Sequence, residues 1–298
     1  MSRTPVPAKA GTPGCWTPPW RCGWPATRPE EGTMNSAIHA STVEATGKAA
    51  AADAYVSVMT ALAGSFDALT PAQWDLDTEC TGWTVRHLAA HLLGAQEDAL
   101  AMPTVLWRRV RGRRRYPHLS LLDAANQVQV DDHAGLSAAE LCSAYRDNIA
   151  KVARRVATFP RVLAGLAVDK TMAPGNVPLR LGCLFNVIYL RDAWMHGFDL
   201  AGATGQPRAA TTADALVLGQ IMRDTATAWG DGPAVELVLA GELSGTWQLG
   251  DGDPQALLRA DGIELCRSLS GRVAETGIAT VSGDPGLAER LGAVRILF

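Results

Sequence analysis

The chain has 298 residues, 47% apolar and 19% charged, and a formal net charge of −3. This is a globular balance, long enough for two ordinary domains, and it excludes a disordered chain. The charge gives no electrostatic case for nucleic acid or an anionic membrane as partner. No window holds the roughly 18 unbroken apolar residues of a spanning helix.

Six cysteines (Cys15, Cys22, Cys80, Cys142, Cys183, Cys266) form no C-x-x-C pair. Neither a disulfide framework nor a cysteine zinc site is indicated, and reduced thiols in the cytoplasm are the expectation. The N-terminus has basic residues but no apolar core of a secretory signal. Residues 1–33 hold seven prolines, with Trp16, Trp20 and Trp24 among them and no apolar period. Such a stretch cannot offset its ordering entropy, so residues 1–45 are expected as an extension, with Met34 as the natural start.

Over 46–69, Tyr55, Val58, Met59, Leu62 and Phe66 recur at helical spacing. Thr70-Pro71 marks a new N-cap with proline in the first turn. Residues 80–94 read CTGWTVRHLAAHLLG, a helix capped by Thr84. His91 lies beside the Val85/Leu88/Leu92 stripe and faces inward; His87 lies near the helix mouth. Each histidine alone is compatible with an ordinary hydrogen bond. Residues 107–116 carry six arginines and read as a solvated basic loop. Two helices are expected next, over 119–131 and from Ser137, where Glu140 completes a capping box, to just before Pro160. Residues 172–178 read as a loop.

Residues 181–205 form a helix apolar almost all round, and therefore buried. Arg191, Asp192, His196 and Asp199 are placed in it, with Asp192 and His196 four apart on one face. A buried carboxylate and imidazole need a partner. That partner is either a divalent metal or a hydrogen bond neutralised by Arg191. Helical bundles build metal sites from ligands on facing helices. After Pro207 comes one more helix over 211–229, then short strands at 235–239, 245–249 and 255–260. A helix at 262–268, a turn at 270–272, a strand at 278–281 and a closing helix at 284–291 complete a small α+β domain.

The two polar-in-core stretches together resemble the mycothiol-dependent maleylpyruvate isomerase family. CTGWTVRHLAAHLLG is similar to its first motif, and RDAWMHGFDLAGATG to its second, an acid four residues before a histidine. The SGR turn at 270–272 and the run SGDPGLAERLG resemble the sterol-carrier-like domain that ends these proteins. The resemblance implies a DinB-like four-helix bundle over 46–207 and the small α+β domain over 208–298. It implies that His91, Asp192 and His196 hold a divalent metal, zinc by the donor types, and that Arg272 is the catalytic arginine. Arg191 and Asp199 are then supports behind the ligands. His87 stands where the family usually has Asp and is not a ligand. Asp192 is one methylene shorter than the family's frequent Glu, and Thr81 replaces a proline.

The implied activity is a metal- and mycothiol-dependent one on a small-molecule electrophile. The low-molecular-weight thiol attacks as its thiolate. Addition, rotation and elimination give cis–trans isomerisation of a maleylpyruvate-like alkene; attack with a leaving group gives S-transfer. The competing readings are a non-catalytic metal-binding or sensor protein and an apolar-ligand carrier. No nucleic-acid or membrane partner is expected.

Overall fold

The structure, a computed structural model, describes residues 36–169, 178–273 and 277–298. The expectations for residues 1–33 and Met34, and for the loop at 172–178 except Pro178, lie outside the described residues. Strand β1 (Ile38–His39) is followed by helices α1 (Lys48–Asp67), α2 (Val85–Leu100), α3 (Met102–Arg115), α4 (Leu121–Asp132) and α5 (Ala138–Thr158). A short α6 (Arg161–Ala164) leads to β2 (Ala167–Asp169), which pairs antiparallel with β3 (Leu179–Arg180). One helical turn, α7 (Leu181–Cys183), and a π-helical stretch (Leu184–Ile188) run into α8 (Tyr189–Thr204). Then come α9 (Asp214–Trp229), β4 (Val235–Ala240), β5 (Gly245–Leu249), β6 (Ala256–Asp261), α10 (Gly262–Leu269), β7 (Ala279–Gly283) and α11 (Gly286–Ala293).

Helices α1, α2, α5 and α8 form the four-helix bundle, with both α1 and α2 touching α5 and α8. Capping starts two of these helices. Thr84 and His87 close a capping box on α2, and Ser137 and Glu140 close one on α5. Helix α1 has the length and composition of a membrane span, and half of its window is buried. Its buried residues include Tyr55, Val58, Met59, Leu62 and Phe66, which join the core shared by the bundle. Helix α8 ends at Gly205, whose φ of +69° is open to glycine at little steric cost.

The region after α9 is a mixed sheet in the order β1-β5-β4-β6-β7. Strand β4 runs antiparallel to β5 and parallel to β6. Both β4 and β6 alternate, with Val235, Leu237, Leu239, Ala256, Leu258 and Ala260 buried. One contiguous core joins them to the bundle.

Two expectations are corrected. The expectation of an extension over 1–45 fails at its inner end: β1 pairs in parallel with β5 and Ala40 is fully buried, so these residues belong to the fold. Two strand residues leave too short a pattern to read from sequence. The run 107–116 is a helix, not a solvated loop. Met102 and Pro103 open it, Pro103 being tolerated where a helix has no amide to satisfy. Arg108 is 2% exposed and pairs with Glu97, Asp98 and Asp132, while Arg111 pairs with Asp132 and Arg115 with Asp131. Arg108 thus faces acids on α2 and α4 instead of water, while Arg111 and Arg115 reach their acids from the solvated side of the helix.

Asp214 ties α8 to α9. It accepts from Trp194 Nε1 at 2.8 Å, Thr211 Oγ1 at 2.7 Å and both arms of Arg208 at 3.1 and 2.7 Å. Burial pushes its carboxyl up, but the Arg208 and Thr211 donors outweigh burial and hold it below the usual carboxylate range. A lowered folded value means stability that is complete above the ordinary carboxylate value and lost as pH falls through the lowered one. Asp214→Asn is therefore expected to cost about 1–2 kcal/mol at pH 7, a modest figure because the carboxylate keeps some solvent. The gap between wild type and variant in urea midpoints should narrow toward acid pH. A gap that stays constant as the pH is lowered contradicts the assignment.

Candidate metal centre

Helices α2 and α8 face each other in the bundle, and each contributes its buried polar residues to one point. His91, on α2, is 3% exposed; Asp192 and His196 lie one turn apart on α8. His91 Nε2 is 3.2 Å from Asp192 Oδ2, and His196 Nε2 is 3.3 Å from Asp192 Oδ1. The two imidazoles meet edge to face at 5.0 Å. One donor atom from each of the three residues lies within 4.8 Å of the other two.

The far nitrogen of each ring is engaged. His91 Nδ1 donates to Gln129 Oε1 at 2.7 Å, and His196 Nδ1 donates to Asp199 Oδ2 at 2.7 Å. Both rings are thereby set with Nε2 toward Asp192, their outer nitrogens hydrogen-bonded as those of metal-binding histidines commonly are. Trp83 packs against His91 at 4.9 Å. Burial pushes the Asp192 carboxyl up, but His196 and His91 beside it outweigh that and hold it well below the usual range. Burial lowers the His196 imidazole, yet Asp192 and then Asp199 raise it well above its ordinary value.

Behind His196, Arg272 reaches across from the segment after α10. Its Nε and Nη2 donate to the two oxygens of Asp199 at 2.8 and 2.9 Å. Asp199 is 1% exposed and lies below the usual carboxylate range: burial pushes it up, and His196 and Arg272 override burial. Cys80 Sγ donates to Asp199 Oδ2 at 3.5 Å, which gives a second donor group, Cys80–His196–Asp199. In that second group both Asp199 oxygens already accept from the Arg272 guanidinium.

The residue set picked out by sequence is thus brought together in part. His91, Asp192 and His196 converge, Asp199 supports His196, and Arg272 reaches the same cluster through Asp199. Arg191 does not support the ligands as expected. It pairs with Asp224 at 2.8 Å and donates to the Leu297 carbonyl. The reason is helical phase: neighbouring residues point about 100° apart, so Arg191 turns away from the face Asp192 occupies. His87 sits at the mouth of α2, where its Nδ1 accepts from the Thr84 amide at 3.1 Å. Gln129 was not picked out. Its signal was a polar residue on the buried Ala125/Val128 face of α4.

A cavity of about 90 Å³ opens on His91 and Asp192, with Arg109, Asn126, Tyr189 and Phe298 among its walls. The Asp192 carboxylate is 21% exposed. The residues fit a divalent cation. Bonds of about 2.1 Å at tetrahedral angles place donors roughly 3.4 Å apart, close to the separations on either side of Asp192.

Two imidazoles and a carboxylate brought to one point by facing helices, with a mixed sheet beyond, define a helical bundle carrying a candidate metal centre and an added α+β region. Residues 56–201 match the family model described as the mycothiol maleylpyruvate isomerase N-terminal domain, so this stretch of the chain is a domain of that family. All three candidate ligands lie inside the matched stretch; Arg272 lies beyond it. Two solved structures are similar. One is a crystal structure of the mycothiol-dependent maleylpyruvate isomerase, with 15% identity, a TM-score of 0.46, and 80% of this chain and 92% of that chain covered. The other is a histidine-to-alanine mutant of that enzyme, with 15% identity, the same coverage and a TM-score of 0.47. No curated protein matches the sequence.

Proposed function

We propose that the chain is a metal- and mycothiol-dependent enzyme acting on a small electrophile, by cis–trans isomerisation of a maleylpyruvate-like substrate or by S-transfer. The observation that carries this reading is the convergence of His91, Asp192 and His196 beside a cavity, within the stretch that matches the family. His91, Asp192 and His196 hold the cation, and their donor types suit zinc. A divalent cation there supplies the positive charge that favours the thiolate of a bound thiol, whose free pKa is about 8.5.

The chain's own residues do the rest. Gln129 and Asp199 fix the two imidazoles with their Nε2 lone pairs inward. Asp192 presents one oxygen to each ring. The cavity beside His91 and Asp192 leaves room for the reacting end of a ligand. Arg272 acts through Asp199, to which its Nε and Nη2 donate, and so orients His196. The reading places the protein in the reducing cytoplasm, where a low-molecular-weight thiol is at hand.

The test is to incubate metal-loaded protein with mycothiol and either maleylpyruvate or a thiol-reactive electrophile. Isomerisation changes the alkene absorbance without net loss of thiol, whereas S-transfer consumes thiol stoichiometrically. A chelator should stop either one. Metal-loaded protein inert in both assays favours the non-catalytic metal-binding reading.

A further inference from the structure

The two candidate histidines are held differently. His196 leans on a carboxylate directly, while His91 leans on an amide. We propose that Gln129 is a positioning residue for His91, and that a buried chain from Gln129 through Asp98 to Arg108 fixes and polarises it. The inference rests on the metal reading of the centre and extends it to three helices around the ligand.

The chain begins at His91 Nδ1, which meets Gln129 Oε1 at 2.7 Å. Gln129 Nε2 donates to Asp98 Oδ2 at 2.7 Å. Asp98 Oδ1 accepts from Arg108 Nη1 at 2.7 Å, and the same nitrogen donates to the Gly94 carbonyl at 2.8 Å. Arg108 also pairs with Glu97 and Asp132, and Glu97 accepts from His133, which itself donates to the Gln129 carbonyl at 2.7 Å. Gln129, Asp98 and Arg108 are 4%, 5% and 2% exposed.

Donor logic fixes the direction of the chain. A carboxylate only accepts, so the amide nitrogen of Gln129 must face Asp98 and its oxygen must face His91. With its proton on Nδ1, His91 offers the Nε2 lone pair to a cation lying between it and Asp192. The amide also donates to an anion, which builds negative charge on Oε1 and strengthens its hold on the imidazole. Three carboxylates around one Arg108 guanidinium keep the far end of the chain anionic.

The helices are built to permit this reach. A Cβ on Gly94 would lie 2.4 Å from Gln129 Cβ, so only glycine lets α4 come this close to α2. A Cβ on Gly112 would lie 2.6 Å from the Ala124 carbonyl oxygen, so α3 presses on α4 in the same way. Loss of a hydrogen-bond partner behind a metal-binding histidine typically weakens metal binding by about 10- to 100-fold.

The test uses the full chain and two variants, Gln129→Met, which keeps the shape, and Asp98→Asn, which keeps a hydrogen-bond acceptor but removes the charge. The probes are Zn²⁺ affinity by competition with a chromogenic chelator and the visible absorption of the Co²⁺-loaded protein, neither of which needs turnover. Gln129→Met is expected to bind Zn²⁺ about 10- to 100-fold more weakly, with a shifted Co²⁺ spectrum. Asp98→Asn should show a smaller loss in the same direction. Wild type that binds while both variants keep its affinity within about twofold overturns this inference alone. If Gln129→Met does not fold, an unchanged Asp98→Asn overturns it. Wild type that binds neither ion overturns the metal reading itself, and this inference with it.

Discussion

Asp192→Ala should strip the protein of its metal. Asp192 has one oxygen toward each imidazole, at 3.2 and 3.3 Å, so it is the element that joins the donor from α2 to the donor on α8. It is also the one carboxylate of the set, and so the only ligand that offsets the cation's charge. The loss should exceed the roughly 100-fold that follows from losing a partner behind a ligand. His91→Ala and His196→Ala should behave alike. His87→Ala is the control: it removes the side chain that closes the α2 capping box, which costs about 0.5–1 kcal/mol, and leaves the metal in place. Calorimetric titration with Zn²⁺ reads all four. Loss of binding in His87→Ala with binding kept in His91→Ala contradicts the placement of the first ligand.

Arg272→Ala should be among the most destabilising changes in the chain, at about 3–5 kcal/mol, because it strands a carboxylate that is almost fully buried. Asp199 would keep only His196 and the weak Cys80 donor. Metal affinity should fall as well, since His196 loses its anchored partner. Arg272→Lys keeps the charge but not the two-pronged contact, and should recover part of the stability. Urea unfolding read alongside metal titration separates two roles. A catalytic arginine that only contacts substrate leaves both measurements unchanged when it is removed. The geometry predicts that both move.

Much of the fold was legible because its signals are local. The Thr84 cap, the Ser137 capping box, the 3–4 spacing in α1 and the short runs between turns that became β4 and β6 each mark an element without reference to the rest of the chain. Asp192 and His196 stand out as polar residues on a helix otherwise apolar, but the pattern alone leaves a hydrogen-bonded pair open, and the set of three with His91 came from the family resemblance. What was not legible depends on partners distant in sequence. Arg108 reads as one charge in a solvated run until Asp98, Glu97 and Asp132 are brought round it. Strand β1 exists only because β5 lies beside it. The turn of helix between Arg191 and Asp192 decides which of them reaches the centre, and Arg191 finds Asp224 on α9 instead. Gln129 gains its role only through Gly94, which lets α4 approach α2.

The most direct measurement is the metal content of the purified protein beside its His91→Ala variant, by plasma mass spectrometry after reconstitution. The expected result is about one divalent cation per chain in the wild type and none retained in the variant. No metal in the wild type, after exposure to zinc and the other first-row divalent ions, would contradict the central claim and leave His91, Asp192 and His196 a buried hydrogen-bonded cluster.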